Sequence, residues 1–251
     1  MDLSQLLQIP DIFSMKTILV IQPHADDAEI GAGGTLARVI ADGARVDYVT
    51  VADDRVGSRD RSIYPEQLAE LRIKEQDAAM EVLGINSNRW LGWRDSEVLP
   101  THTLRGQFIR AIRELKPDAV MTIDPWLPYE AHPDHRYTGM IAAEAAFLAA
   151  QPYVNPEHLR DGLEPHEVTA VAFMGTSKPN VFISIDNTIE TKLTAVRCHK
   201  SQFEHTWDFY ESYLTYLAKQ WAQQAQKEGY MEAFKVLTPL QMHYNVHAES
   251  M

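Results

Sequence analysis

The segment IQPHADDAEIGAGG (21–34) is the most informative indicator of the fold in this chain of 251 residues. It follows the short apolar run TILVIQ (17–22), and the segment GGTLARVIADG (33–43) after it carries apolar residues at helical spacing. A second β-branched run, VDYVTVA (46–52), comes next. The pattern predicts a strand-helix-strand unit with a cluster of acids at the end of its first strand. Unpaired carboxylates beside a buried strand cost free energy, so these acids need a partner.

The rest of the chain continues to alternate between strand and helix patterns. Further strands are predicted at 88–93, 118–123, 168–175 and 180–186, and further helices from Pro65 to a stop at Gly84 and over 103–115, 140–150, 188–203 and 207–229. The segment 124–139 is predicted to be irregular because it is rich in proline and polar residues. This alternation predicts an α/β fold, a Rossmann-like, mostly parallel, doubly wound sheet with helices on both faces, in a single domain spanning 1–251.

Composition limits the partners that the chain can have. The formal net charge is −12, and the basic residues form no blocks, which argues against a nucleic-acid partner. Cys198 is the single cysteine and is interpreted as a small core residue. An intrachain disulfide is therefore excluded, and a reducing, cytoplasmic location is expected. The segment 1–16 lacks the pattern of a signal peptide, and no run reaches the roughly 18 apolar residues of a membrane span. We therefore expect no membrane association.

Two polar clusters follow predicted strands. The first is PHADDAE (23–29), after the strand that ends near Gln22, and the second is HPDH (132–135), in the loop after the strand that ends near Ile123. In an open parallel sheet, ligands bind at the carboxyl ends of the strands. The fold is therefore expected to bring the two clusters into one crevice.

The residue types in these clusters are those of a catalytic zinc site. Such a site takes three protein ligands and keeps a fourth position open for water, and His24, Asp27 and His135 can supply the three. Asp26 is then a spare carboxylate placed to act as general base. His132 is expected to face the developing oxyanion or to protonate the leaving nitrogen.

Asp134 is expected to orient one of these histidines. A single His-x-x-Asp is more often a surface loop than a metal site. The two clusters together, each at the mouth of a predicted parallel strand, favour the metal site.

A nicotinamide-binding alternative comes from GAGG (31–34), which opens a helix some twenty residues before Asp53 and Asp54. The spacing does not match, because the dinucleotide pattern needs a glycine where Leu36 stands. The glycines are interpreted instead as letting the loop reverse before the helix. A catalytic serine is also disfavoured, because the chain has no G-x-S-x-G motif.

Taken together, PHADDAEIGAGG (23–34) and HPDH resemble the LmbE-like, or PIG-L, zinc deacetylases, over about Ile18 to His243. The segments 124–139 and 177–203 are most similar to the diacetylchitobiose deacetylase branch. The resemblance implies a zinc enzyme that removes an acetyl group from N-acetylglucosamine or its β-1,4 disaccharide and forms trimers or hexamers. It implies zinc on His24, Asp27 and His135, with Asp26 as general base and His132 as the stabilising histidine. The residue types indicate the same roles.

The resemblance also implies substrate contacts. Arg72 and Asp95 match residues that contact the substrate in the family. His243 aligns with a histidine that reaches a substrate site, either in its own subunit or in a neighbouring one. A solvated helix arginine is the alternative interpretation of Arg72.

Aromatic residues provide further candidates. Trp126 and Tyr129, in the loop before His132, are predicted to form a wall that stacks on a sugar or contacts another subunit. A second set recurs at helical spacing and is predicted to lie in the core or at an interface. It consists of Trp207, Tyr210, Tyr213 and Tyr216.

One residue departs from the family pattern, since Ala25 stands where the motif usually has proline. The substitution removes a source of rigidity but no ligand. Other functions remain open, namely cleavage of a different amide, hydration of an unsaturated acid, or non-catalytic binding of metal or sugar.

Overall fold

The computed structural model of the protein describes residues 8–251, so the prediction about an N-terminal signal falls partly outside the described residues. Within them, one sheet has the strand order β3-β2-β1-β4-β5-β7-β6. Its strands are β1 (Thr17–Gln22), β2 (Arg45–Ala52), β3 (Ser87–Trp93), β4 (Ala119–Ile123), β5 (Ala170–Met174), β6 (Val181–Ser184) and β7 (Met231–Leu237).

Helices connect most of these strands. They are α1 (Asp27–Ala41), α2 (Pro65–Leu83), α3 (His102–Leu115), α4 (Pro133–Leu148), α5 (Pro156–Arg160), α6 (Ile189–Arg197), α7 (Lys200–Phe203) and α8 (Trp207–Gln224). Within residues 8–251, no helix combines the length and apolarity that crossing a bilayer requires.

Strand β1 lies at the centre of the sheet and is apolar on both faces. Ile18 and Val20 pack into one core cluster with α1 and α2, whereas Leu19 and Ile21 pack into another with α3 and α4. Successive side chains of a strand point to opposite faces, so a continuous apolar run is what a sheet covered on both sides requires. The prediction of helices on both faces is confirmed.

The pairing of the strands positions the functional site. Strand β1 pairs in parallel with β2 on one side and with β4 on the other. The order of the strands therefore reverses at β1, and a crevice opens there at the carboxyl ends. Strand β7 runs antiparallel to β5 and β6, so the sheet is mostly parallel, as predicted.

Two helices begin earlier than their sequence pattern indicates. Helix α1 begins at Asp27, and α4 begins at Pro133, so the second polar cluster forms a helix start rather than part of a loop. Proline suits the first helical position because its fixed φ matches a helix and its missing N–H has no partner there anyway. Both polar clusters consequently lie where the chain enters the helix that follows a strand.

The glycines of α1 have a different role from the predicted loop reversal. They lie inside the helix, where a Cβ at Gly31 would come within 2.6 Å of Met174 Sδ and a Cβ at Gly34 within 2.7 Å of Ile185 Cγ2. Glycine therefore allows α1 to approach the sheet closely. The helix predicted over 188–203 is also interrupted, because α6 ends at Arg197 and α7 begins at Lys200.

Candidate active site

The loop after β1 brings His24 and Asp27 together. The backbone N–H of His24 donates to Asp27 Oδ2 at 2.9 Å, and the ring Nδ1 of His24 lies 3.5 Å from the same oxygen. Between them, Asp26 has φ of 100°, a backbone conformation that residues with side chains rarely adopt. Strain of this kind persists only where the surroundings hold it, and it is concentrated at functional sites.

The start of α4 adds two histidines to the same place, His132 just before the helix and His135 in its first turn. His135 Nε2 lies 3.5 Å from Asp27 Oδ1, and its Nδ1 lies 3.2 Å from Glu130 Oε2. Glu130 also accepts the backbone N–H of His132 at 2.7 Å. Sequence reasoning missed Glu130, although its position two residues before His132 was an available signal.

The three histidine rings form a compact group. The ring of His132 stacks on His135 with centroids 4.9 Å apart and meets the ring of His24 edge-on at 4.7 Å. One ring nitrogen of each histidine lies within 4.8 Å of the others. Burial, together with the charges of His24 and His135, lowers the pKa of His132. The lowered pKa favours the neutral form of His132.

Two carboxylates contact Nε2 of His24, the ring nitrogen that does not face Asp27. Its Nε2 lies 3.2 Å from Asp134 Oδ2 and 3.4 Å from Asp95 Oδ1. Asp134 is fully buried and also accepts the backbone N–H groups of Ser96 and Val98. The loop after β3 and the start of α4 are thus joined to His24 by one carboxylate.

Asp26 has a separate partner. Its Oδ2 lies 3.4 Å from Nη1 of Arg72, whose Nη2 donates to Gln202 Oε1. Arg72 is buried rather than solvated, so the alternative interpretation of a surface helix arginine is wrong. Nothing in the sequence linked it to Gln202, which belongs to α7.

The two neighbouring aspartates have opposite pKa shifts. Burial and the adjacent Asp27 charge raise the pKa of Asp26 to about 6. Burial also acts to raise the pKa of Asp27, but the charge of His135 and the contacts with His24 outweigh it and hold the value at about 2. Asp27 is therefore suited to be a permanently ionised ligand, and Asp26 to exchange a proton near neutral pH.

Asp54, two residues after the end of β2, is hydrogen-bonded to the loop that follows β1. Its Oδ2 accepts the backbone N–H of Ala25 at 2.8 Å, a bond that proline at position 25 could not make. Burial raises the pKa of Asp54 to about 8, although the charges of His24 and Arg72 oppose this. Ala25 therefore exchanges the rigidity of proline for a hydrogen bond.

Many of these groups line one cavity of about 350 Å³. Its polar lining includes the three histidines, Asp26, Asp27, Arg72 and Asp95. Its large apolar and aromatic side chains are Ile30, Val56, Phe203 and Tyr210. Tyr210 therefore contributes to the cavity, whereas it was predicted to lie in the core or at an interface.

Three predicted substrate contacts lie elsewhere. Trp126 packs its ring against Phe173 and lines a different cavity. The Tyr129 side chain is fully exposed, and His243 stacks on Phe147 with ring centroids 5.1 Å apart. Local loop geometry, which separates these side chains from the polar cluster, is not encoded in their spacing along the sequence.

Comparison with known proteins identifies a family and individual proteins that this chain resembles. The family model described as PIG-L: GlcNAc-PI de-N-acetylase matches residues 19–146, just over half of the chain. Diacetylchitobiose deacetylase of Thermococcus kodakarensis is 40% identical over 205 residues, covering 81% of this chain and 77% of its own. A 1D-myo-inositol 2-acetamido-2-deoxy-alpha-D-glucopyranoside deacetylase of Streptomyces avermitilis is 32% identical, covering 57% of this chain and 56% of its own.

A solved structure extends the similarity to the fold. N,N'-diacetylchitobiose deacetylase from Pyrococcus horikoshii, in complex with its inhibitor MPG, superposes with a TM-score of 0.91 at 34% identity. The superposition covers 94% of this chain and 89% of the other. Because the matched segment contains both polar clusters and the fold agrees throughout, the chain belongs to the PIG-L family of N-deacetylases.

Proposed function

We propose that this protein is a zinc-dependent hydrolase that removes the N-acetyl group from N-acetylglucosamine or from a small sugar that contains it, such as diacetylchitobiose. The observation that carries the proposal is the position of Asp27 between His24 and His135, 3.5 Å from a ring nitrogen of each, with Asp26 beside it in the cavity. The curated relative and the solved structure named above, both diacetylchitobiose deacetylases, support the substrate class.

The donor atoms fit a metal ion. Asp27 Oδ2 lies 3.5 Å from Nδ1 of His24, and Asp27 Oδ1 lies 3.5 Å from Nε2 of His135. Two ligands of a tetrahedral zinc, each bonded at about 2.0–2.2 Å, lie roughly 3.3–3.5 Å apart, which is close to each of these separations. Nitrogen and carboxylate donors suit zinc and several other divalent transition metals. The acids around the site outnumber Arg72, so a divalent cation would offset their repulsion.

The outer partners of the histidines fit as well. His24 directs Nδ1 to Asp27 and Nε2 to Asp134, and His135 directs Nε2 to Asp27 and Nδ1 to Glu130. Metal-binding histidines usually give their second nitrogen to a carboxylate or carbonyl in this way, which fixes the tautomer and the ring orientation. We infer that His24, Asp27 and His135 hold the metal.

The chemistry then divides among the remaining residues. When bound, zinc would act as a Lewis acid that polarises the amide carbonyl and lowers the pKa of water. Asp26 removes a proton from the attacking water, whose oxygen bonds to the carbonyl carbon. His132 hydrogen-bonds the oxyanion that develops. Asp26 then returns the proton to the nitrogen as the C–N bond breaks, leaving a free amine and acetic acid, which ionises to acetate.

Arg72 and Asp95 complete the site in this proposal. Arg72 lies against Asp26 and lines the cavity with Asp95, so both can meet sugar hydroxyls there. A sugar hydroxyl can donate to a carboxylate and accept from a guanidinium. We assign Asp134 to the orientation of His24 and not to contact with the substrate, because its carboxylate is fully buried.

The activity is tested by supplying N-acetylglucosamine and diacetylchitobiose to the purified protein and quantifying acetate and free amine together. The two products should appear in equal amounts, and chitobiose without acetyl groups serves as the control. Absence of acetate from both sugars with folded, zinc-loaded protein would contradict the proposal.

Assembly and location are also proposals. We expect a homo-oligomer, a trimer or hexamer by resemblance, and a cytoplasmic location. Large exposed apolar side chains near the chain end, including Tyr244 and Val246, provide surface for self-association. Light scattering of the purified protein measures the number of subunits.

A further inference from the structure

Four aromatic rings form a continuous series from the cavity to the surface. Phe203 and Tyr210 line the cavity, with ring centroids 4.7 Å apart. Phe209 lies 5.4 Å from Tyr210, and Tyr213 stacks on Phe209 at 6.1 Å with only 6° between the planes. We refer to Phe203, Tyr210, Phe209 and Tyr213 as the aromatic strip.

The inner end of the strip is fixed by the core. Phe203 is only 2% exposed and belongs to a core cluster with Trp207 and Leu214, and Tyr210 packs against that cluster. The ring of Tyr210 is thereby held in place while it still faces the cavity. A rigid ring of this kind provides contact area at a low cost in conformational entropy.

The outer end of the strip is unusually exposed. Phe209 is 65% exposed and Tyr213 is 48% exposed, although both lie on a helix whose opposite side is buried. Exposed apolar rings that adjoin a cavity are typical of a ligand groove or an interface. Continuity with the candidate active site favours a ligand groove.

We propose that the aromatic strip binds the second sugar ring of a disaccharide or longer substrate, beyond the ring that loses its acetyl group. This inference rests on the proposed function. The groups assigned to the amide line the cavity and fix the position of the reacting ring. Phe203 and Tyr210 line the same cavity, so they and the exposed end of the strip then receive the rest of the molecule, since the C–H face of a pyranose is flat and apolar.

The strip makes the enzyme specific for chain length. A single N-acetylglucosamine occupies the position of the reacting ring and gains little from Phe209 or Tyr213. A disaccharide gains stacking area on Tyr210 and Phe209. Loss of Phe209 therefore affects the disaccharide and not the monosaccharide.

The test compares kcat and KM for diacetylchitobiose and N-acetylglucosamine in Phe209→Ala, Tyr210→Ala and Tyr210→Phe. Tyr216→Ala is the matched control, because Tyr216 is an exposed tyrosine of the same helix outside the strip. We expect Phe209→Ala and Tyr210→Ala to raise KM for the disaccharide by about tenfold, with kcat nearly unchanged. Tyr210→Phe, which keeps the ring, should resemble the wild type.

An equal change for both sugars in Phe209→Ala would overturn the inference, and so would an unchanged KM for the disaccharide. Phe209 is largely exposed, so we expect Phe209→Ala to leave the packing of the core unchanged. A change in the number of subunits, measured by light scattering, would instead assign the strip to an interface and also overturn it.

A binding measurement distinguishes a failure of this inference from a failure of the proposed function. Calorimetric titration of diacetylchitobiose into metal-free protein requires no turnover. Weaker binding in Tyr210→Ala than in Tyr216→Ala would support the strip even if no acetate were released. Equal binding in the two variants would overturn it even in an active deacetylase.

Discussion

Oδ2 of Asp134 lies 3.2 Å from Nε2 of His24, although the two residues are 110 positions apart in the chain. The same carboxylate accepts backbone N–H groups from Ser96 and Val98. One buried side chain thus connects the loops that follow β1 and β3 to the start of α4. The candidate metal site depends on this connection for its geometry.

Replacing Asp134 with asparagine should weaken both the site and the fold. An amide offers one acceptor oxygen in place of two, so at least one buried N–H loses its partner, at a cost of about 1–3 kcal/mol in the free energy of unfolding. Zinc affinity should fall by about 10–100-fold. Urea unfolding of the metal-free protein and competition with a chelator measure the two effects. Unchanged zinc affinity would refute the role of Asp134 in orienting His24.

Asp26→Asn should separate binding from turnover. The amide cannot accept a proton, so we expect turnover to fall by about 10²–10⁴-fold while bound zinc stays near one per chain. Asp42→Asn, at the exposed far end of the same helix, is the control. Metal analysis and the rate of acetate release are measured on the same preparations. An active Asp26→Asn enzyme would rule out Asp26 as the base.

Asp54 should matter as an acceptor and not as a charge. Asp54→Ala leaves the backbone N–H of Ala25 without its partner and should destabilise the protein by about 1–3 kcal/mol. Asp54→Asn retains an acceptor oxygen and should unfold close to the wild type. Denaturant unfolding of the pair distinguishes the two substitutions, and equal losses would show that the charge is what counts.

Asp118 offers a pH-dependent test of the fold away from the site. Burial acts to raise its pKa, but hydrogen bonds from the backbone N–H groups of Lys16 and Thr17 lower it overall. A depressed pKa in the folded state stabilises the protein above the unfolded value, near pH 4, and this contribution is lost as pH falls further.

Asp118→Asn should therefore cost roughly 1 kcal/mol at pH 7, a figure that allows for solvent screening at this partly exposed position. The difference from the wild type should shrink as the pH falls below about 4. Urea unfolding across this range measures it. A difference that does not change with pH would show that the charge of Asp118 contributes nothing.

The sequence predicts much of the fold and fails at identifiable places. Runs dominated by apolar and β-branched residues reveal β1, β2 and β4, which are largely buried. Strand β7 escapes the same criterion because its run contains Glu232 and Lys235. Both are buried in the fold, where Glu232 pairs with Lys192 and Lys235 donates to carbonyls near the chain end.

The polar cluster was predictable from the topology of the sheet, whereas its surroundings depend on local turns of the chain. His24, Asp27 and His135 follow strands whose carboxyl ends must meet, so topology alone brings them together. Gln202 and Tyr210 reach the cavity only because the chain turns between α6 and α7, which the apolar periodicity does not encode. Trp126 and Tyr129 show the converse, since closeness in sequence to His132 did not bring them into the cavity.

Acetate release from diacetylchitobiose, measured before chelation, after chelation and after zinc is restored, tests whether deacetylation requires an ion held by His24, Asp27 and His135. The His135→Ala variant is measured alongside, with His205→Ala, a substitution of an exposed histidine, as its control. We predict that activity disappears with the metal and returns with zinc in the wild type and in His205→Ala but not in His135→Ala. Acetate release that persists in protein shown by metal analysis to be free of bound ions would rule out this requirement.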